Sequence, residues 1–158
     1  MHLIAVGRLR EGPEAALFQL YNTRLRPRLT VVEVTTGRGG PSIIKRKEGT
    51  ALLSALPNSA FVVPLDQGGQ ALNSEGFSTQ LSQWSRLARP ICFLIGGAEG
   101  LDAAVVDRAD YVLSLGLMTW PHFMVRAMLA EQLYRAQAIA QGHPYHRSGR
   151  PELAPGVR

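Results

Sequence analysis

Five short apolar, β-branched runs alternate with five stretches of helical spacing along this chain, and that alternation constrains the fold more than any other feature. The runs fall at residues 3–6, 29–34, 60–65, 91–95 and 111–115, each short enough to be a strand buried on both faces of a sheet. Residues 14–25, 43–56, 75–87, 102–108 and 122–140 carry apolar side chains at helical spacing. In the last of these, Met124, Val125, Met128, Leu129, Leu133, Ala136 and Ile139 trace one face, while Glu131 and Arg135 form an i,i+4 pair suited to the opposite side. Strand and helix in turn predict an α/β fold, a parallel sheet flanked by helices on both faces. At 158 residues and 46% hydrophobic content the chain suits one domain with its own core, ending in a mobile Pro/Gly-rich segment at 150–158.

Cys92 is the single cysteine, so no intrachain disulfide is possible. It lies in the apolar run Ile91-Cys92-Phe93-Leu94-Ile95, where a small buried hydrophobe is the expected role. A reducing cytoplasm fits this usage, and no apolar run approaches the length that crosses a bilayer. The net charge of +5 sits at the two ends: residues 1–60 carry nine Lys/Arg against four Asp/Glu, and residues 141–158 carry three against one. Such a distribution suits phosphate recognition, and it is equally common on proteins that never touch nucleic acid.

Ligands of open parallel sheets bind beyond the carboxyl ends of the strands, where loops leave backbone groups and helix N-termini facing a crevice. Three such ends are specialised: Leu65-Asp66-Gln67-Gly68-Gly69, Gly96-Gly97-Ala98-Glu99-Gly100, and Gly116-Leu117-Met118-Thr119-Trp120-Pro121. Each alone reads as a tight strand-to-helix turn; the three together favour a cofactor crevice. The dinucleotide fingerprint is missing, since Gly7-Arg8-Leu9-Arg10-Glu11-Gly12 lacks the second glycine, and there is no phosphate loop or G-x-S-x-G nucleophile elbow. His143 and His146 are three apart with no further ligand nearby, so no metal site is expected.

Directly after the last helical stretch, His143-Pro144-Tyr145-His146-Arg147 packs two imidazoles, a phenol and a guanidinium into five residues. One reading is a helix-terminating turn, with Gly142 as a left-handed cap and proline beyond it. The other is a donor-rich functional cluster.

Taken in order, Ile4-Ala5-Val6-Gly7, Lys47-Glu48-Gly49, Leu94-Ile95-Gly96-Gly97-Ala98-Glu99-Gly100-Leu101, Pro121-His122 with Val125-Arg126, Glu131-Gln132-Leu133-Tyr134-Arg135-Ala136 and His143-Pro144-Tyr145-His146-Arg147 form a set that resembles the RlmH family. These are the SPOUT-class pseudouridine N3-methyltransferases of large-subunit ribosomal RNA. The resemblance implies a single SPOUT domain over residues 1–147 with a carboxyl-terminal trefoil knot, followed by a flexible basic extension at 148–158. It implies a homodimer, S-adenosyl-L-methionine as cofactor, and 23S rRNA in the 70S ribosome as substrate, with neither a metal nor a membrane involved. Carried over by position, Leu65, Gly97, Gly116, Leu117, Met118, Thr119, Trp120 and Pro121 would hold the cofactor, and Tyr145, His146 and Arg147 would lie at the target nucleotide. Arg147 and Tyr145 are then expected to orient the RNA and stabilise negative charge on the uracil ring, with His146 or a water relaying the proton, or all three only grip phosphate or stack on bases.

For the remaining residues, His122 is expected to cap the last helix, Trp120 to pack in the core, Arg126 to serve the dimer or the RNA, and Arg135 to pair with Glu131. Lys45, Arg46 and Lys47 read as an exposed helix face or as phosphate contacts. Phe123-Met124 replaces a smaller, often proline-containing pair. Two other classes stay open from sequence: an RNA-binding ribosome-assembly factor with a vestigial crevice, and a SPOUT enzyme with another RNA target.

Overall fold

The computed structural model describes residues 1–147, so the extension expected at 148–158 lies outside the described residues. The elements run in the expected alternation: β1 (His2–Val6), α1 (Pro13–Asn22), β2 (Thr30–Val34), α2 (Pro41–Ser54), β3 (Phe61–Ala71), α3 (Ser74–Ser85), β4 (Ile91–Ile95), α4 (Ala103–Asp107), β5 (Leu113–Ser114) and α5 (His122–Ala140). Local chemistry sets the helix ends. Pro13 and Pro41 open α1 and α2, where a missing N–H costs nothing. Asn73 and Asp102 cap α3 and α4 by accepting from the N–H groups of Gly76 and Ala104.

All pairings in the five-stranded sheet are parallel, in the order β2-β1-β4-β3-β5. Side chains alternate across it. Leu3 and Ala5 of β1, Phe61 and Val63 of β3, and Ile91, Phe93 and Ile95 of β4 face α1, α3 and α5, around Trp84 and Leu133. Ile4, Val6, Val62, Cys92 and Leu94 face the other way, against Leu52 of α2 and Val105 of α4. Cys92 is fully buried there, and desolvation pushes its thiol up to about 11, which removes it as a nucleophile near neutral pH.

Three expectations need correction. The second run is not buried on both faces: β2 is an edge strand, with Val31 and Glu33 exposed. The third strand does not stop at Leu65. It continues to Ala71, with a register break on β5 between Leu65 and Gln70 that bulges Asp66-Gln67-Gly68-Gly69 outward. The buried face of α5 is rotated from the predicted one. It carries Arg126, Ala127, Leu129, Ala130, Leu133 and Ala136, while Met124 is exposed and Met128 and Ile139 lie at the margin. Alanines allow α5 to lie close against α1 and α3, a contact that an apolar count based on larger residues misses.

Helix α5 ends as the turn reading requires. Gly142 has φ 64°, its N–H donates to the Ile139 carbonyl at 3.1 Å, and the His143 N–H donates to that of Ala138 at 2.8 Å. This is a Schellman closure, and it directs the His143 segment back along α5.

At the amino ends of the strands, Asp110 ties β3 to the α3–β4 loop. It accepts from Val62 N–H at 2.8 Å and pairs with Arg89 at 3.0 Å and Arg108 at 3.2 Å. Burial works against its charge, but these three donors hold the carboxyl below its ordinary range. A depressed folded-state pKa stabilises above the unfolded value of about 3.9 and is lost as pH falls through the folded one. The melting temperature of Asp110→Asn is therefore expected to fall less than that of the wild type between neutral pH and pH ~2.5 in a calorimetric series. Parallel curves would remove Asp110 from the acid transition.

Candidate active site

The carboxyl ends of β3, β4 and β5 open on one crevice of about 560 Å³. Its apolar wall comes from Leu65, Ile95, Leu101, Leu115 and Val125, and backbone from Gly96, Gly97 and Gly116 reaches it directly. Seven of the eight residues carried over for the cofactor line it: Leu65, Gly97, Gly116, Met118, Thr119, Trp120 and Pro121. Leu117 points its side chain into solvent, at 84% exposure, while its carbonyl accepts from the Gln67 amide. That bond ties the β3 bulge to the loop after β5. Ser114 strengthens the same loop: its hydroxyl accepts from Gly116 N–H at 3.2 Å and faces the Gly116 and Gln67 carbonyls at 3.1 and 3.3 Å. Gly116 itself takes φ 111°, a conformation that a side chain would strain.

Three polar groups give the crevice its chemistry. Trp120 is no core residue: it forms part of the wall, and its Nε1–H is buried without a partner. Asp66 accepts from Gly68 N–H at 2.8 Å through one oxygen. His122 is the first residue of α5 and supplies no capping bond; its ring lies 3.9 Å from that of Phe123. Burial, with the neighbouring Arg126 charge, lowers its pKa against an opposing pull from Glu48, so the imidazole is neutral at physiological pH. Unpaired buried donors are rare, and a ligand acceptor would satisfy the Trp120 indole.

Arg126 does not serve a surface. It is fully buried, pairing with Glu33 at 2.9 Å and donating to the carbonyls of Val6 and Gly7 at 2.8 and 2.6 Å. The ion pair fixes the first turn of α5, and with it His122 and Val125, against the ends of β1 and β2. Arg135 pairs with Glu131 as expected. Lys45, Arg46 and Lys47 lie on α2, and Lys47 Nζ donates to the Arg38 carbonyl at 3.1 Å.

Tyr145 and His146 lie apart from the crevice. The Tyr145 hydroxyl is 3.0 Å from Glu131 Oε1 and 3.2 Å from the Tyr21 hydroxyl, its ring meets Tyr134 edge-on at 4.7 Å, and the Arg135 guanidinium covers it at 4.9 Å. Burial, then the bonds to Tyr21 and Glu131, push its pKa well above the usual phenol range, so it remains a donor and not a base. His146 Nε2 sits 3.3 Å from Glu75 Oε1, and Arg147 is exposed. Glu131 is nine residues beyond His122 on α5, about 13 Å along a helix axis. Within one protomer, the tail cluster and the crevice are therefore two separate groups.

A residue that strand-end reasoning missed is Glu48, buried in α2 behind Gly97. A signal was present: Glu48 is spaced i,i+4 from both Ile44 and Leu52, which puts a carboxylate on the inward face of its helix.

A glycine-lined crevice at the carboxyl ends of a parallel sheet, closed by the loop leading into the last helix, has the form of a small-molecule site in an α/β fold, and residues 1–146 match the family model described as "Predicted SPOUT methyltransferase". That match sets the class: a SPOUT methyltransferase. Ribosomal RNA large subunit methyltransferase H of Gluconacetobacter diazotrophicus is 63% identical over 151 residues, 96% of this chain and 99% of that protein. The protein of the same name from Acidiphilium cryptum is 52% identical over 96% of each chain. The chain belongs to the ribosomal RNA large subunit methyltransferase H family. Among solved structures it is similar to the SpoU methyltransferase AviRb from Streptomyces viridochromogenes in complex with AdoMet, at TM-score 0.47 and 13% identity, covering 89% of this chain and 58% of that one.

Proposed function

We propose that this chain transfers the methyl group of S-adenosylmethionine to N3 of a pseudouridine in 23S rRNA of the assembled 70S ribosome, in the cytoplasm and as a homodimer. The observation that carries the reading is the crevice itself, an apolar slot with four glycines in its walls and a buried indole N–H unpaired among the described residues. Among the described residues, no cluster of side chains could hold a metal ion and no helix is long and apolar enough to cross a membrane.

Leu65, Gly97, Gly116 and residues 117–121 would hold the cofactor, which supplies an electrophilic methyl group on sulfur when bound. The glycines would let backbone groups approach it, and Trp120 Nε1–H would donate to it. N3 of the base would accept that methyl group, and its imide proton must leave. Alignment of the reacting atoms contributes about 7–11 kcal/mol in well-oriented systems. Tyr145, held by Glu131 and Tyr21, would position the segment that orients the RNA, the exposed Arg147 would stabilise charge on the deprotonated ring, and His146, oriented by Glu75, would relay the proton. Because this cluster is separated from the crevice along α5, the tail of one protomer would complete the crevice of its partner. Exposed apolar side chains beside the crevice, Leu117 and Met118 in the loop after β5 and Met124 in the first turn of α5, favour such a dimer.

The test is methyl transfer from labelled S-adenosylmethionine to 70S ribosomes lacking the modification, with separated subunits and naked rRNA in parallel. Label at pseudouridine N3 on 70S ribosomes alone supports the reading. Cofactor binding with label elsewhere points to a different RNA target, and neither label nor binding favours an assembly factor. Trp120→Phe keeps the aromatic wall and removes one donor. It is expected to weaken S-adenosylmethionine binding by about three- to tenfold in calorimetry, the scale of one hydrogen bond. Unchanged affinity would free Trp120 from this role.

A further inference from the structure

We propose that Glu48 is the charge-recognition residue of the crevice, selecting the cationic sulfonium cofactor over its neutral thioether product; the proposal rests on the methyltransferase reading above. Glu48 is 4% exposed, in the middle of α2, and its carboxylate is only half satisfied. Oε1 accepts from Gly37 N–H at 3.0 Å, whereas Oε2 is buried with no hydrogen-bond partner among the described residues. A buried carboxylate oxygen left unpaired is costly, and leucine would fill a similar space without that cost. The position calls for a charge.

What stands in front of that oxygen is the crevice wall. A Cβ built on Gly97 would lie 2.6 Å from Glu48 Oε2, so only the α-carbon of Gly97 separates the carboxylate from the cavity it lines. The next residue of α2 presses the same loop, since a Cβ on Gly49 would lie 2.6 Å from Asp102 Cβ. The Glu48-Gly49 pair thus seats the β4–α4 loop on α2 and brings a negative charge against its back. Among the described residues, neither lysine nor arginine lines the crevice. Arg126, the nearby buried cation, directs its two Nη groups to Glu33 and two carbonyls, while its Nε, like Glu48 Oε2, is buried with no hydrogen-bond partner among the described residues.

A one-charge difference between methyl donor and product is what such a field would read. Attraction is present while the sulfur is positive and disappears on transfer, which favours product release. Asp66, the other carboxylate of the crevice, is the competing source of selectivity and serves as the internal control.

The experiment is calorimetric titration of the full-length wild type, Glu48→Gln, Glu48→Asp and Asp66→Asn with S-adenosylmethionine and, separately, S-adenosylhomocysteine. The wild type is expected to prefer the sulfonium form. Glu48→Gln should weaken that form by about tenfold, on the scale of one screened charge, and change the thioether by less than about twofold. Glu48→Asp, which keeps the charge, should hold the wild-type preference and keeps the proposal testable if the glutamine variant does not fold. Equal loss of both ligands in Glu48→Gln would make the residue purely structural and overturn the proposal. So would a preference that collapses in Asp66→Asn alone or in Glu48→Asp. A wild type that binds both ligands equally overturns charge selection and leaves the methyltransferase reading standing; one that binds neither overturns both.

Discussion

Arg126→Ala is expected to lower the unfolding free energy by about 2–4 kcal/mol, the largest stability loss of any single substitution at an ion pair in this molecule. The guanidinium has no exposed surface and bridges Glu33 of β2 to the carbonyls of Val6 and Gly7 at the end of β1. It also lies 5.4 Å above the Phe123 ring. Removing it takes a donor from the carbonyls of Val6 and Gly7, leaves Glu33 Oε1 with Leu9 N–H at 2.7 Å but no cation, and opens a cavity at the start of α5. Burial lowers the arginine's own pKa, but the Glu33 hydrogen bond and charge pull the other way, so the pair is ionic. Lysine is not expected to rescue it, because a single ammonium cannot fork between Glu33 and two carbonyls. Urea unfolding followed by circular dichroism measures the loss. Since His122 and Val125 stand on the same turn as Arg126, cofactor affinity should fall with stability. A loss below about 1 kcal/mol would show that water replaces the guanidinium, and would demote the pair to a surface-like contact.

The fate of Arg126 illustrates what the sequence could disclose. The strand-helix alternation was readable because β1, β3 and β4 lie in the middle of the sheet, where both faces are covered and apolar residues run without a break. Edge strand β2 broke the pattern because one face has no helix over it. The crevice was readable too, since sheet geometry places ligands at strand ends and the glycine-rich turns there stand out. Arg126 and Glu48 were not readable in the same way. A charged residue in a helix is normally solvated; the spacing of Glu48 from Ile44 and Leu52 marks its inward face but not its neighbour Gly97, and the partners of Arg126, Gly7 and Glu33, lie beyond any local pattern. The Tyr145–Tyr21 contact links residues 124 positions apart, a distance at which local pattern carries no information. The turn reading and the cluster reading of residues 143–147 proved compatible, because the Schellman closure at Gly142 is what folds Tyr145 onto Glu131.

That placement leads to the largest functional effect expected here. Arg147→Ala should slow single-turnover methyl transfer to 70S ribosomes by about 10²–10³-fold, the scale for losing a donor aimed at developing negative charge. Affinity for S-adenosylmethionine should stay unchanged, because Arg147 lies outside the crevice lining. Tyr145→Phe removes the bonds to Glu131 and Tyr21 but keeps the ring stacked on Tyr134, so a smaller loss of about three- to thirtyfold is expected, through position. With its pKa raised, the phenol stays protonated well above neutrality, and no ionisation of Tyr145 should appear in the pH–rate profile. Mixed dimers then decide which crevice the tail serves. One protomer would carry Arg147→Ala, and the other Gly97→Val, which crowds the wall where a Cβ would already lie 2.6 Å from Glu48. If the tail acts across the interface, this dimer retains one working site, formed by the intact crevice of the first protomer and the intact tail of the second. If the tail acts within its own chain, every site in the mixed dimer carries a defect and transfer falls to the level of the homodimeric variants. The roughly 13 Å along α5 between His122 and Glu131 favours the first result; the second would require the tail to leave Glu131 and Glu75 and fold back along its own helix when RNA binds.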